Sequence, residues 1–458
     1  MNEHPMASVP DSRTILAGGV APGRALVFDG APTTIDHDAV EDLRATVVPD
    51  GTKGIPWSAT GMTLAELGAS GSRVLDGDFP MPLMILRRTA LGANIAAMAA
   101  YCRETGVWLS PHGKTTMAPQ LFRCQIEAGA WGLTAATPAH LRLYRRFGVG
   151  RILYANQLVE PAAIGWLAEE LCRDPEFEFC CLVDSLESVS ILEVGLSRHA
   201  LPQPVRVLIE VGYAGGRSGA RDRATAREVA LAVDRSSCLA LWGVECFEGL
   251  MSDNDLGAID RFLTAVRDVA VDLLEETSLR DQGEIIVTAG GSAYFDRVIQ
   301  AFVHDWDHRA PARVVLRSGC YITQDGGFYQ RASPLDGRHA GAPVLREGIE
   351  IWSAVLSRPE PGLAICSMGR RDAPQDMGMP TPNKWCRIGD RPQSLTGATV
   401  LALSDQHAHV AVAPGSDLKP GDLVGCSISH PCTAFDRWRV IPVVDDEYAV
   451  CDAVATFF

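Results

Sequence analysis

Four short segments of this sequence combine residue types and spacings that catalysis uses. The first is Ser110-Pro111-His112-Gly113-Lys114-Thr115-Thr116. It follows an apolar run that begins at Val107, so Lys114 is expected at the end of a strand. A lysine partly withdrawn from water loses its preference for the ammonium form and becomes a nucleophile or base. On extended backbone His112 and Lys114, two residues apart, would share a face. The competing reading is a surface lysine in a loop.

The second segment is Val287-Thr288-Ala289-Gly290-Gly291-Ser292-Ala293-Tyr294. Consecutive small residues before a helix expose backbone N–H groups, and such a turn binds phosphate; the plainer reading is a tight glycine turn. The third is Glu210-Val211-Gly212-Tyr213-Ala214-Gly215-Gly216-Arg217-Ser218-Gly219. Its glycines permit close approach to a ligand, and Arg217 would donate to a ring nitrogen or carboxylate, unless this is a flexible loop with a surface arginine. The fourth is Ser429-His430-Pro431-Cys432, an imidazole and a thiol two residues apart, donors that suit Zn²⁺. Upstream, Asp405-Gln406-His407-Ala408-His409 offers a second pair of imidazoles, which would line the site or close a structural one. The tryptophans and the pair Phe328-Tyr329 are read as core or interface.

These segments need a scaffold. Between about residues 90 and 320, β-branched runs alternate with Ala/Leu/Arg-rich helical stretches. Strands are expected to start near Val107, Gly132, Arg151, Phe179, Val205, Leu239, Ile285 and Val314. Eight strand–helix units of roughly 30 residues each predict an α/β fold, a (β/α)₈ TIM-type barrel. Lys114 then lies after the first strand and the Gly-Gly-Ser turn after the seventh, both at the catalytic face of such a barrel. An open doubly wound sheet is the runner-up, but it usually carries a GxGxxG that is missing here. Residues 1–80 read as an N-terminal extension packing on the β-domain, 81–320 as the barrel, and 321–458 as an all-β domain. Its strands are expected at Glu350–Val355, Thr399–Leu403, Val410–Val412, Leu423–Cys426 and Trp438–Val444.

Composition narrows the function. The net charge of −15 repels phosphate backbones and argues against nucleic-acid binding. An odd count of 13 cysteines with no CxxC pair fits a reduced cytoplasmic protein with buried thiols better than a disulfide scaffold. No basic leader with an apolar core opens the chain, and no uncharged run is long enough for a membrane span.

The motifs also carry a resemblance. PHGKT resembles the PHxKT motif of the eukaryotic-type D-serine dehydratases and D-threonine aldolases, fold-type III pyridoxal phosphate (PLP) enzymes related to alanine racemase. Ile152-Leu153-Tyr154-Ala155-Asn156-Gln157, Gly243-Val244-Glu245-Cys246-Phe247-Glu248-Gly249, Asp405-Gln406-His407 and SHPCTAFDRW resemble that family in the same order, over about residues 80–445. The resemblance implies that Lys114 is the Schiff-base lysine. It implies that Gln157, Arg217, Thr288, Gly290, Gly291 and Ser292 contact the cofactor, and that His430 and Cys432 bind Zn²⁺. His407 would line the site near the leaving group. Ala214 replaces the first glycine of the family's G-x-x-R-x-G, a departure at the Arg217 contact. The implied activity is a PLP- and Zn-dependent dehydratase (ammonia-lyase) of D-3-hydroxy amino acids such as D-serine, in a homodimer. Aldolases of the family resemble His-x-Asp where this chain has Cys432, and a thiolate prefers Zn²⁺ to Mn²⁺ or Mg²⁺. D-threonine-type aldolase chemistry is the alternative; a racemase or a non-catalytic PLP-binding protein follow behind it.

Overall fold

A computed structural model describes residues 32–251, 255–281, 284–308, 310–335 and 343–458. Eight parallel strands form one sheet: Trp108–Leu109, Leu133–Ala135, Arg151–Gln157, Glu178–Val183, Val205–Val211, Leu239–Cys246, Ile285–Ala289 and Ala312–Leu316. Each start lies within two residues of its expected position. The last strand pairs with the first. The seam between the first two is closed by a parallel bridge from His112 to Thr134 and by the Thr134 N–H donating to the Pro111 carbonyl. The sheet is therefore a barrel, and the open-sheet alternative falls.

The helices between strands begin where the sequence supplies the means. Pro119, Pro138 and Pro161 stand in first turns, where a missing N–H costs nothing. Asp222 and Asp255 cap Arg223–Arg235 and Leu256–Glu276 by accepting backbone N–H bonds. Inside the barrel, Leu153, Cys180, Leu182, Leu208, Ile286 and Val315 pack with Trp131. Near the N-terminal ends of the strands Trp108 stacks on Trp131 and Trp242 tilts against it, with ring centroids 5.2 and 5.9 Å apart.

The second domain is all-β, and all five expected strands are present. Leu363–Cys366, Thr381–Cys386, Gln393–Ser394 and Val450–Ala455 add to them. Thr381–Cys386 contains Pro382, which cannot donate to a ladder; the register shifts between Pro382 and Lys384 to absorb it. Leu83–Arg87 also joins this sheet, antiparallel to Ile349–Glu360 and parallel to Val440–Val444. The chain thus lays one strand of the all-β domain before it enters the barrel. Upstream, helix Leu64–Gly68 packs on Val450–Ala455, where a Cβ on Gly68 would stand 2.9 Å from Asp452 Cα. The Asp36 N–H donates to the Phe147 carbonyl at 2.8 Å, so this segment touches the barrel as well. Among the described residues no helix is long and apolar enough to cross a membrane.

Candidate active site

Lys114 lies at the barrel top, but not on a continuing strand. The first strand stops at Leu109; after the bridge at His112 the chain enters a 3₁₀ turn, Gly113–Thr115. Pro111 has no N–H for a ladder, and Gly113 presses against Tyr144, where a side chain would not fit. The expected shared face of His112 and Lys114 is therefore replaced by a turn. Burial holds His112 well below the usual histidine range, and the positive charges of Lys114, Arg317 and His140 push it the same way. His140 is lowered to about 4, first by burial and then by Lys114. Both imidazoles are thus held in the neutral form. The His112 Nδ1 is buried without a hydrogen-bond partner among the described residues.

Behind Lys114 stands a buried layer of charge. Arg317, 5% exposed, pairs with Glu245 at 2.5 Å and donates to Thr288 Oγ1 and the Cys246 carbonyl, each at 3.0 Å. Thr288 in turn donates to the Val315 carbonyl, so its hydroxyl is fully engaged. Burial raises Glu245 to about 7, against the pull of Arg317 and with the help of Glu210 and Glu248. Gln157 donates to Glu210, which also accepts from Ser218 Oγ at 2.5 Å. Glu248 is fully buried and accepts the Gly290 and Gly291 N–H groups at 3.2 and 3.0 Å. Those two amides therefore face an internal carboxylate that braces the turn. Gly290 has φ +84°, and a Cβ on Gly291 would come 3.1 Å from the Phe247 ring. In Ser292 the hydroxyl accepts from the Cys320 N–H at 3.3 Å. Arg217 is exposed and lies over Phe247, 5.3 Å from its centroid.

His430 and Cys432 come from the all-β domain and meet the barrel here. His430 has φ +77° and its N–H donates to Asp325 at 2.8 Å, which fixes this sharp bend. Its Nδ1 donates to Asp376 Oδ2 at 2.5 Å, and Thr433 Oγ1 donates to the other Asp376 oxygen at 2.9 Å. Cys432 Sγ lies 3.4 Å from Cys320 Sγ and 3.3 Å from Thr115 Oγ1, the residue after Lys114. Hydrogen bonding from Cys320, then from His430 and Thr115, holds the Cys432 thiol well below its ordinary range against burial. His430 rises to about 9 because its bonds to Cys432 and Asp376 together outweigh burial. A carboxylate on Nδ1 leaves Nε2 for a metal, the usual support of a histidine ligand. Among the described residues no three His, Cys, Asp or Glu side chains form a site for a metal ion. His407 is exposed, in the turn between Thr399–Leu403 and Ala408–Ala411.

Residues 348–444 match the family described as "Putative serine dehydratase domain". D-threonine aldolase of Arthrobacter sp. is 24% identical over 372 residues, 80% of this chain and 89% of that protein. A 3-hydroxy-D-aspartate aldolase of Paracoccus denitrificans (strain Pd 1222) is 23% identical over 311 residues, 67% and 76% of the two chains. Among solved structures, D-threonine aldolase from Filomicrobium marinum superposes with TM-score 0.68 at 22% identity, covering 83% of this chain and 95% of that one. D-threo-3-hydroxyaspartate dehydratase from Delftia sp. HT23 gives 0.64 at 20%, covering 82% and 97%. Alanine racemase from E. faecalis gives 0.52 at 14%, covering 76% and 88%. The chain has the alanine-racemase-like fold. The resemblance read from PHGKT and SHPC is borne out, and with it the barrel and the trailing all-β domain of this fold.

Sequence reasoning missed several residues around this site. Glu245 and Glu248 lie in a segment quoted only for its resemblance. Cys320 carried no signal beyond following the last barrel strand, and Asp376 none at all. Tyr329, read as core, has its hydroxyl bonded to the Cys320 thiol.

Proposed function

We propose that this chain is a PLP- and Zn²⁺-dependent lyase that eliminates water from a D-3-hydroxy amino acid, D-serine being the simplest, to give a 2-oxo acid and ammonia. The observation that carries the reading is the joining of two half-sites: Cys432 of the all-β domain stands 3.3 Å from Thr115, next in sequence to Lys114.

The donor set fits the cofactor. Lys114 supplies the amine that would hold the aldehyde carbon. Arg317 and Ser292, with the turn shaped by Glu248, would hold the phosphate, and Gln157, Thr288 and Arg217 stand around the same barrel top. His112 Nδ1, buried and unpartnered, is a polar atom left for a bound group. PLP, when bound, supplies an electron sink for charge developing at the substrate Cα. Lys114 is the base that takes the Cα proton. Its neighbours His112 and His140 are both held below the usual histidine range, so neither adds a positive charge beside it. His430 and Cys432 would hold Zn²⁺, whose Lewis acidity suits a β-hydroxyl that leaves poorly at neutral pH.

A second reading, retro-aldol cleavage to glycine and an aldehyde, is favoured by the names of the curated relatives. One experiment separates them. The holoenzyme is incubated with D-serine, D-threonine and both D-3-hydroxyaspartates, and 2-oxo acid plus ammonia is measured against glycine plus aldehyde. Glycine as the dominant product refutes elimination; no product from any substrate refutes both readings.

A further inference from the structure

We infer that Cys320 and Cys432 form an oxidative modification site, at which peroxide converts two thiols into a reversible disulfide across the junction of barrel and all-β domain. The two Sγ atoms lie 3.4 Å apart. A disulfide needs about 2.05 Å, so about 1.4 Å of approach is shared between two side chains that rotate about their own χ1 bonds. The partners belong to different domains and are 112 residues apart. Cys320 opens the turn Cys320–Ile322 after the last barrel strand, and Cys432 opens the short helix Cys432–Phe435. Cys432 is half-buried, so a small oxidant reaches it first. Cys320 is 4% exposed and waits behind it. All 13 cysteines are free, and Cys172 alone is exposed.

The chemistry balances in two steps. Cys432–SH reacts with HOOH to give Cys432–SOH and water, the sulfur being oxidised and the peroxide O–O bond broken. Cys320–SH then displaces water from that sulfenic acid and forms the S–S bond. Two thiols lose two electrons and two protons, one peroxide becomes two waters, and a thiol reductant reverses the change. The proximity of Cys320 diverts Cys432 from the irreversible sulfinic acid. The bond also removes the Cys432 sulfur from any metal, so oxidation would silence the site. That last consequence rests on the lyase reading, whereas the crosslink does not.

The test uses the full chain, treated with a small excess of hydrogen peroxide, alkylated and digested for mass spectrometry. The expected result is loss of two hydrogens per chain, a linked peptide pair containing Cys320 and Cys432, and full reversal by dithiothreitol. In Cys320→Ser no link forms, and Cys432 gains two oxygens that dithiothreitol does not remove. Cys432→Ser also forms no link. The readout needs no turnover, so a failed lyase assay leaves it standing. Oxygen addition at Cys432 in the unsubstituted chain without a link, a link to any other cysteine, or oxidation confined to Cys172 would each overturn the proposal.

Discussion

Glu245 makes the stability of the barrel top depend on pH, and the size of the effect follows from its burial. The carboxyl is 1% exposed and titrates at about 7, against 4.5 for an exposed glutamate. At about 1.4 kcal/mol for each tenfold change in proton affinity, that difference is worth about 3 kcal/mol. The folded state holds this proton more tightly than the unfolded chain. Stability is therefore fully present below pH 4.5 and is lost as the pH rises through about 7. Glu245→Gln removes the titration and leaves an amide facing Arg317. Urea unfolding of both proteins across this range should show the unsubstituted chain losing about 3 kcal/mol relative to Glu245→Gln. Any offset from the amide's altered hydrogen bonding is independent of pH and does not affect the slope. Parallel curves would refute the reasoning and show that Arg317, 2.5 Å away, keeps Glu245 ionised throughout. The same proton has a functional side. Near pH 6 Glu245 is neutral, the charge of Arg317 is uncompensated, and anions should be retained more firmly than at pH 8.

Three other substitutions probe the site. Lys114→Ala should purify without the visible absorbance of lysine-bound cofactor; a variant that keeps it would reassign the lysine. Glu248→Gln turns one acceptor of the glycine turn into a donor and leaves a buried amide unpaired, at about 1–3 kcal/mol; a lower Tm and faster loss of cofactor on dialysis are expected, and no change in either would show that the turn holds its shape unaided. Cys432→Ala, or chelation of the unsubstituted protein, should stop product formation while the substrate Cα hydrogen still exchanges with deuterated solvent, and Asp376→Asn should weaken Zn²⁺ binding about 10–100-fold; full activity in metal-free protein would return His430 and Cys432 to a structural role.

The barrel was legible because each strand–helix unit repeats one spacing, and the helix starts announce themselves with Pro119, Pro138, Pro161, Asp222 and Asp255. The all-β domain was less so. Its strand Leu83–Arg87 lies far from its partners Ile349–Glu360 and Val440–Val444, and no local pattern reports such pairing. Thr381–Cys386 was hidden by Pro382, which argues against a strand until the register shift is seen. At the site, Lys114, His430 and Cys432 stood out because their neighbours in sequence share their chemistry. Asp376 supports His430 from 54 residues away and Cys320 meets Cys432 from 112. The first contact exists only once the all-β domain has folded, and the second only once the two domains have docked. His112 was read on an extended strand because periodicity does not register the turn that Pro111 and Gly113 impose.

The three indoles near the base of the barrel have an optical consequence. Trp108, Trp131 and Trp242 come from the first, second and sixth strand segments, with neighbouring rings 5.2 and 5.9 Å apart. Aromatic transitions at that separation couple, and the coupled indoles should add an exciton contribution to the circular dichroism spectrum. Trp57, 78% exposed, adds nothing to that contribution and emits as an indole in water. Closure of the barrel is thus written into a signal that originates at the end of the barrel away from Lys114, and it can be followed without cofactor, metal or substrate.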